Sequence, residues 1–172
     1  MIRESQHFGI MYALLVIGQA VLCNYAALGP YITLSMLPAM VLCIPTSLST
    51  IACMLIAFAS GLAVDWMSEG VIGLNAAAIV PVALLRNWII KIFMGEDLIT
   101  RGDRFTFKKN GAGKISAAAV TALAIYLALY IFLDGAGTRP LWFNMTRFGV
   151  SVICNLILSY IVINILSPDD RK

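Results

Sequence analysis

The chain has 172 residues, of which 60% are hydrophobic and only 12% are charged. A soluble domain of this length carries about twice that charged fraction, so the composition excludes an ordinary water-soluble protein. The net charge is only +3, and most basic residues fall between residues 86 and 114. A cluster of this kind indicates the orientation of a protein in the membrane, and we expect no nucleic-acid partner.

Several stretches are long enough to cross a bilayer, which takes about 20 mostly apolar residues per helix. We predict an all-α integral membrane protein, with about six transmembrane helices in one compact bundle over residues 1–172. The predicted spans are residues 8–23, 31–44, 47–66, 71–90, 115–133 and 145–166, with a cytoplasmic loop over 95–114. Lipid is therefore the first predicted partner.

The second span is the shortest, and two prolines mark it. Pro38 is expected to interrupt the helix, and Pro45 to end it. The hydroxyls that follow Pro45 are expected to cap the third helix. Gln19 is a polar residue inside the first span and is expected to hydrogen-bond a neighbouring helix. Asn155 is expected to be the buried polar residue of the last span.

Small residues recur every four positions along the third span. They are Ser49, Cys53, Ala57 and Gly61, and Asp65 continues the row. Such a ridge lets another helix backbone approach closely. Two interpretations stay open, namely close packing inside this chain and docking of a partner helix.

Asp65 ends this otherwise uncharged span, and Trp66, Ser68 and Glu69 follow it. An ionisable residue at a membrane edge is a candidate for function. It is equally a candidate cap for the next helix, which begins near Gly73 and Asn75. Capping and contact with a partner or ligand both remain open.

Basic residues cluster around the predicted 95–114 loop. They are Arg86, Lys91, Arg101, Arg104, Lys108, Lys109 and Lys114. Arg86 and Lys91 are expected at the membrane interface, where long cationic side chains extend to the headgroups. The positive-inside rule then places both termini in the cytoplasm of an inner-membrane protein, and the Asp65 turn outside.

The sequence offers no constellation for catalysis, for a cofactor or for a metal. His7 is the single histidine, and the four cysteines are scattered through apolar segments. The run Gly111-Ala-Gly-Lys114 fails as a nucleotide-binding loop, because Lys108 and Ile115 occupy positions where that motif needs Gly and Ser or Thr. We expect no enzyme and no bound nucleotide.

One run carries a resemblance to a known family. Gly61-Leu-Ala-Val-Asp65, then Ser68, then Gly73-Leu-Asn75-Ala-Ala resembles the signature of MreD, a rod shape-determining membrane protein. Leu22-Cys23-Asn24 is similar to Bacteroides-type members. Asn75 stands where many members carry histidine.

The resemblance implies a non-enzymatic scaffold of the elongasome that helps to organise lateral peptidoglycan synthesis and maintain rod shape. Its implied partners are an MreC-like bitopic protein, the MreB filament, a RodA-type glycosyltransferase and a class B penicillin-binding transpeptidase.

The alternative interpretation is the substrate-binding subunit of a vitamin-type transporter, because the family's fold is thought to resemble that subunit in energy-coupling-factor transporters. Asp65, Trp66, Glu69 and Trp142 would then surround an outward pocket. The short outer loops are expected to supply few convergent polar groups to such a pocket.

Overall fold

Six helices make up most of the residues that the computed structural model describes, which are 2–25, 29–68, 71–95, 111–135 and 138–166. The helices are α1 (Ile2–Tyr25), α2 (Leu37–Cys43), α3 (Thr50–Met67), α4 (Leu74–Met94), α5 (Ala112–Gly135) and α6 (Leu141–Leu166). All except α2 are long and apolar enough to cross a membrane. The predicted all-α membrane bundle is therefore confirmed, with five long helices in the described residues.

From α3 to α6 the long helices alternate in direction, and α1 runs parallel to α3. Near its end, α1 bonds the end of α3, where the Asn24 amide donates to the Met67 carbonyl at 2.9 Å. The second half of α5 contacts the first turn of α4 through Tyr126 and Asn75. We call the end where α1, α3 and α5 finish the upper end of the bundle. There α4 and α6 begin, so α1 begins and α6 finishes at the lower end.

The predicted span over residues 31–44 is wrong as a continuous helix. Residues 32–35 are not helical, and α2 has only seven residues, Leu37–Cys43. Seven helical residues rise about 10 Å, against a hydrocarbon core of about 30 Å. Pro38 lies in the first turn of α2 and does not interrupt it, because a proline there removes no helical hydrogen bond.

The chain nevertheless returns through the bundle between α1 and α3. Both helices finish at the upper end, so the segment between them must descend to where α3 begins. Thr50 at the start of α3 accepts a hydrogen bond from the Asn87 amide at 3.0 Å, in the lower half of α4. The second passage is therefore made of the non-helical segment (residues 32–36) followed by α2.

Side chains from two long helices satisfy the backbone of the non-helical segment. Gln19 of α1 donates to the Leu34 carbonyl at 3.1 Å and accepts from the Met36 amide at 2.7 Å. Asn155 of α6 donates to the Thr33 carbonyl at 2.6 Å and accepts from the Ser35 amide at 2.6 Å. Gln19 was expected to bond a neighbouring helix, and Asn155 is buried as expected. Both residues bond the non-helical segment, because its backbone has no helical partners of its own.

Arg86 does not lie at the interface, so that expectation is wrong. It is 1% exposed, and its guanidinium donates to the carbonyls of Leu42 and Ile44 at the end of α2. A helix that ends inside a bundle leaves its last carbonyls without water, and a cation at that end is favourable. Arg86 therefore caps α2 from the neighbouring helix α4.

Arg86 and Lys91 also belong to α4 and not to a loop. Lys91 and Lys114 are exposed, and Lys114 lies in the first turn of α5. The other four residues of the predicted basic loop, Arg101, Arg104, Lys108 and Lys109, lie outside the described residues.

We predict that Asn155→Leu destabilises the fold, because it leaves the Ser35 amide and the Thr33 carbonyl without their bonds to Asn155. The expected loss is about 2 kcal/mol. Reversible unfolding of the full chain in detergent micelles measures it. Asn164→Leu makes the same change at an exposed position of α6 and should have little effect. Equal effects of the two substitutions would contradict this account.

Candidate functional site

Asp65 is buried at the upper end of α3 and caps the first turn of α4. Its Oδ2 accepts from the backbone amides of Gly73 at 3.0 Å and Ala76 at 3.2 Å. Its Oδ1 accepts from the backbone amide of Asn75 at 3.1 Å and from its side-chain amide at 2.7 Å. A carboxylate at a helix N-terminus satisfies unpaired amides and faces the positive end of the helix dipole. Two roles were expected for Asp65, helix capping and contact with a partner or ligand. These contacts are those of a helix cap.

Asn75 links this cap to α5. Its side-chain oxygen accepts a hydrogen bond from the Tyr126 hydroxyl, while its side-chain nitrogen donates to Asp65. Tyr126 is fully buried. A chain of buried polar groups therefore joins α3, α4 and α5.

The small-residue ridge of α3 packs inside this chain. Cys53, Ala57, Gly61 and Asp65 are buried. Ser49, the first residue of the row, is exposed and caps α3 by accepting from the Ala52 amide at 3.3 Å. A Cβ atom placed on Gly61 would lie 2.6 Å from the Cα of Ala76, a distance that no real contact reaches. Glycine at this position brings α3 and α4 into backbone contact, and this contact places Asp65 beside the first turn of α4.

Gly73 and Ser68 complete the turn between α3 and α4. Gly73 has a φ of +92°, a left-handed conformation that favours glycine. The Ser68 amide donates to the Val64 carbonyl at 2.9 Å and ends α3. Glu69 lies outside the described residues.

A cavity of about 530 Å³ opens at the upper end, beside the cap. The ends of α1, α3 and α5, the starts of α4 and α6, and the non-helical segment all contribute to its walls. Its polar lining residues are Cys23, Asn24, Tyr25, Thr33, Asp65, Ser68, Asn75, Tyr126, Tyr130 and Arg147. We call this space the upper cavity.

The upper cavity differs from the outward pocket expected from the sequence. Asp65 lines it, but Trp66 and Trp142 do not, and these are 84% and 64% exposed. Most of the polar groups around the upper cavity come from the helices and from the non-helical segment rather than from the outer loops. A count of loop residues cannot reveal them.

Arg147 forms the second charged group of this end. Its Nη1 donates to Asp134 Oδ2 at 2.5 Å, and its Nε donates to the Thr33 hydroxyl at 2.9 Å. Arg139 donates to the same Asp134 oxygen at 3.0 Å. The Arg147 guanidinium also lies 6.0 Å from the ring centre of Tyr130. This cluster ties the non-helical segment to α5 and α6.

Sequence reasoning did not select Thr33, Tyr126, Tyr130 or Arg147 as site residues. Their spacing along the chain is long, and no local motif joins them. The available signal was the presence of Arg147 within an apolar span, because a charge there is costly without a partner.

The fold and the upper cavity define the class of this protein, an all-α, multi-pass membrane bundle with a polar-lined cavity at one end. Comparison with known proteins gave no match to a family model, to a curated protein or to a solved structure.

We predict that Asp65→Ala lowers the free energy of unfolding by at least about 2 kcal/mol, because it leaves the backbone amides of Gly73, Asn75 and Ala76 without their acceptor. Asp65→Asn keeps an oxygen acceptor and should lose less. Unfolding of the full chain in micelles measures both. An Asp65→Ala protein as stable as the parent would show that the cap contributes nothing.

We predict that Gly61→Ala is also destabilising, because the new methyl group must push α4 away from α3. Gly149→Ala is the matched control, since a Cβ there has open space. Alanine in a helix is favoured over glycine by about 1 kcal/mol, so the control should be neutral or slightly stabilising. The difference between their unfolding free energies is the measurement. A stable Gly61→Ala protein would refute the close contact.

Proposed function

We propose that this chain is a non-enzymatic membrane scaffold of the MreD type, helping to organise lateral peptidoglycan synthesis and to maintain rod shape. The observation that carries the proposal is that the motif behind the resemblance forms one structural unit. Gly61 admits α4, and Asp65 bonds Gly73, Asn75 and Ala76. A signature that serves to fix two helices against each other suits a protein that works by assembling with others.

The interior polar residues support the same proposal, because they hold the backbone in place. Gln19 and Asn155 bond the non-helical segment, Arg86 bonds the end of α2, and Asp65 bonds the start of α4. With its oxygens occupied by donors, Asp65 is poorly placed to act as a general base. Positioned side chains of this kind hold the bundle together, which is what a scaffold requires.

The outer surface of the bundle suits lipid and helical partners. On α1, a stripe of large apolar residues is exposed, comprising Ile10, Leu14, Ile17 and Val21. The proposed partners are membrane lipid, an MreC-like bitopic protein, the MreB filament, a RodA-type glycosyltransferase and a class B penicillin-binding transpeptidase.

The proposed orientation follows from the basic residues of the lower half. Lys91 and Lys114, in the last turn of α4 and the first turn of α5, are exposed. By the positive-inside rule the lower end faces the cytoplasm of the inner membrane, together with both termini. The upper cavity then opens on the outer side.

We predict that depletion of this protein in its own cells rounds or swells them, and that its affinity purification recovers the MreC-like protein. When the Asp65→Ala variant is expressed in the depleted cells, it should restore neither cell shape nor recovery of the MreC-like protein, because the α3–α4 contact is weakened. Gly149→Ala should restore both. Cell microscopy and partner recovery are the readouts. Normal shape after full depletion would exclude the scaffold function.

A second candidate function is that of a substrate-binding subunit in a small-molecule transporter of the vitamin type. The observation that favours it is the upper cavity, whose volume of about 530 Å³ lies in the range of small-molecule sites. Loss of uptake of a small molecule on depletion, with normal cell shape, would favour this candidate over the scaffold.

A further inference from the structure

We propose that the upper cavity binds the anionic group, carboxylate or phosphate, of a small amphipathic molecule, and that Arg147, Tyr130 and Thr33 hold this group. The inference goes beyond the scaffold function, which needs no ligand. It gives a ligand class to the second candidate function, and rests on the same cavity.

The charges beside the cavity favour an anion. Arg139 and Arg147 both donate to one oxygen, Oδ2 of Asp134. Two guanidinium groups and one carboxylate leave a net positive charge. Arg147 is the more buried of the two cations, with a side chain 10% exposed against 40% for Arg139, and it is the one that lines the cavity. One carboxylate is shared between the two cations and cannot neutralise both, and Arg147 is the cation that the cavity reaches.

Hydrogen-bond donors are available at the same place. Arg147 uses Nε and Nη1, and its Nη2 makes no hydrogen bond within the described residues. The Tyr130 hydroxyl likewise makes none there, although its ring lies 6.0 Å from the guanidinium carbon. The Thr33 hydroxyl accepts from Arg147 and keeps its own hydrogen to donate. An anionic oxygen is the acceptor that suits these three donors.

Asp65 lines the same cavity, and its negative charge does not prevent this binding. Its two oxygens accept four hydrogen bonds from Gly73, Asn75 and Ala76, at the positive end of the α4 dipole. The negative charge of Asp65 is thus compensated locally by α4.

Part of the cavity wall is apolar and can contact the apolar part of an amphipathic molecule. Leu22, Ile32, Leu34, Val71 and Leu74 line it together with the phenol rings of Tyr126 and Tyr130. Apolar side chains that line a cavity together with convergent polar groups are typical of small-molecule sites. The anionic group has two possible sources, the headgroup of an anionic lipid and a free small molecule.

The test uses the full chain in lipid nanodiscs and has two arms. In the first arm the lipid is phosphatidylcholine, and the probes are 4-phenylbutyrate and its uncharged counterpart 4-phenylbutanol, with affinities measured by calorimetric titration against empty nanodiscs. In the second arm the nanodiscs contain phosphatidylglycerol, and native mass spectrometry measures how much of this lipid stays bound. The first arm detects a free small anion and the second a lipid headgroup.

Three variants locate the site. Arg147→Gln removes the buried cation and should weaken binding about tenfold. Tyr130→Phe removes only a hydroxyl that makes no hydrogen bond within the described residues, so it should fold normally and weaken binding several-fold. Lys114→Gln removes one positive charge from the exposed start of α5, far from the cavity, and should leave binding unchanged.

The proposal is supported if either arm shows binding that needs the anionic group and falls in the Arg147 and Tyr130 variants. If Arg147→Gln fails to fold, Tyr130→Phe decides. Absence of binding in both arms overturns the proposal, as does binding that neither variant weakens. Equal affinity for phenylbutyrate and phenylbutanol, with no retained phosphatidylglycerol, also overturns it. The cavity would then bind an uncharged ligand, which is compatible with the transporter function. Neither arm measures partner recovery or cell shape. Failure of the anion-binding proposal is therefore distinct from failure of the scaffold function.

Discussion

The structure depends on one constraint, that backbone amides and carbonyls inside an apolar medium must find partners within the protein. A continuous helix meets this requirement by itself, but the second passage of this chain is not a continuous helix. Its upper part is non-helical, and Gln19 and Asn155 supply the missing partners. Its lower part ends inside the bundle, and Arg86 supplies donors to the last carbonyls. The break in the second passage thus explains three buried polar residues on three different long helices, namely Gln19, Asn155 and Arg86.

The upper cavity is a consequence of the same break. A helix with its side chains is about 10 Å wide, and a single non-helical chain fills less of that width. Ile32, Thr33 and Leu34 of the non-helical segment line the cavity where a helix would otherwise pack. Thr33 then serves twice, because it bonds Arg147 and faces the cavity. Fold and candidate ligand site are therefore not independent features.

The Asp65 cap addresses the same constraint at a helix end. The first amides of α4 lie beside α3, and the carboxylate satisfies those of Asn75 and Ala76 together with that of Gly73 just before the helix. The contact requires Gly61, since any side chain there would meet the backbone of Ala76. Close approach and capping support each other, which is why the two residues are best understood as one element of the fold.

The sequence by itself determined the class of protein and most of the helices, because hydropathy over about 20 residues is a local property. It also identified Gly61, Asp65, Gly73 and Asn75 as a group, since they lie close together along the chain. Only the tertiary structure decided that residues 32–36 are not helical, that Arg86 is buried, and that Thr33, Tyr130 and Arg147 meet at a cavity. The physical reason is that these outcomes depend on partners distant in sequence, which no local pattern specifies. A charge in an apolar segment indicates that a partner exists, and only the folded bundle shows which one.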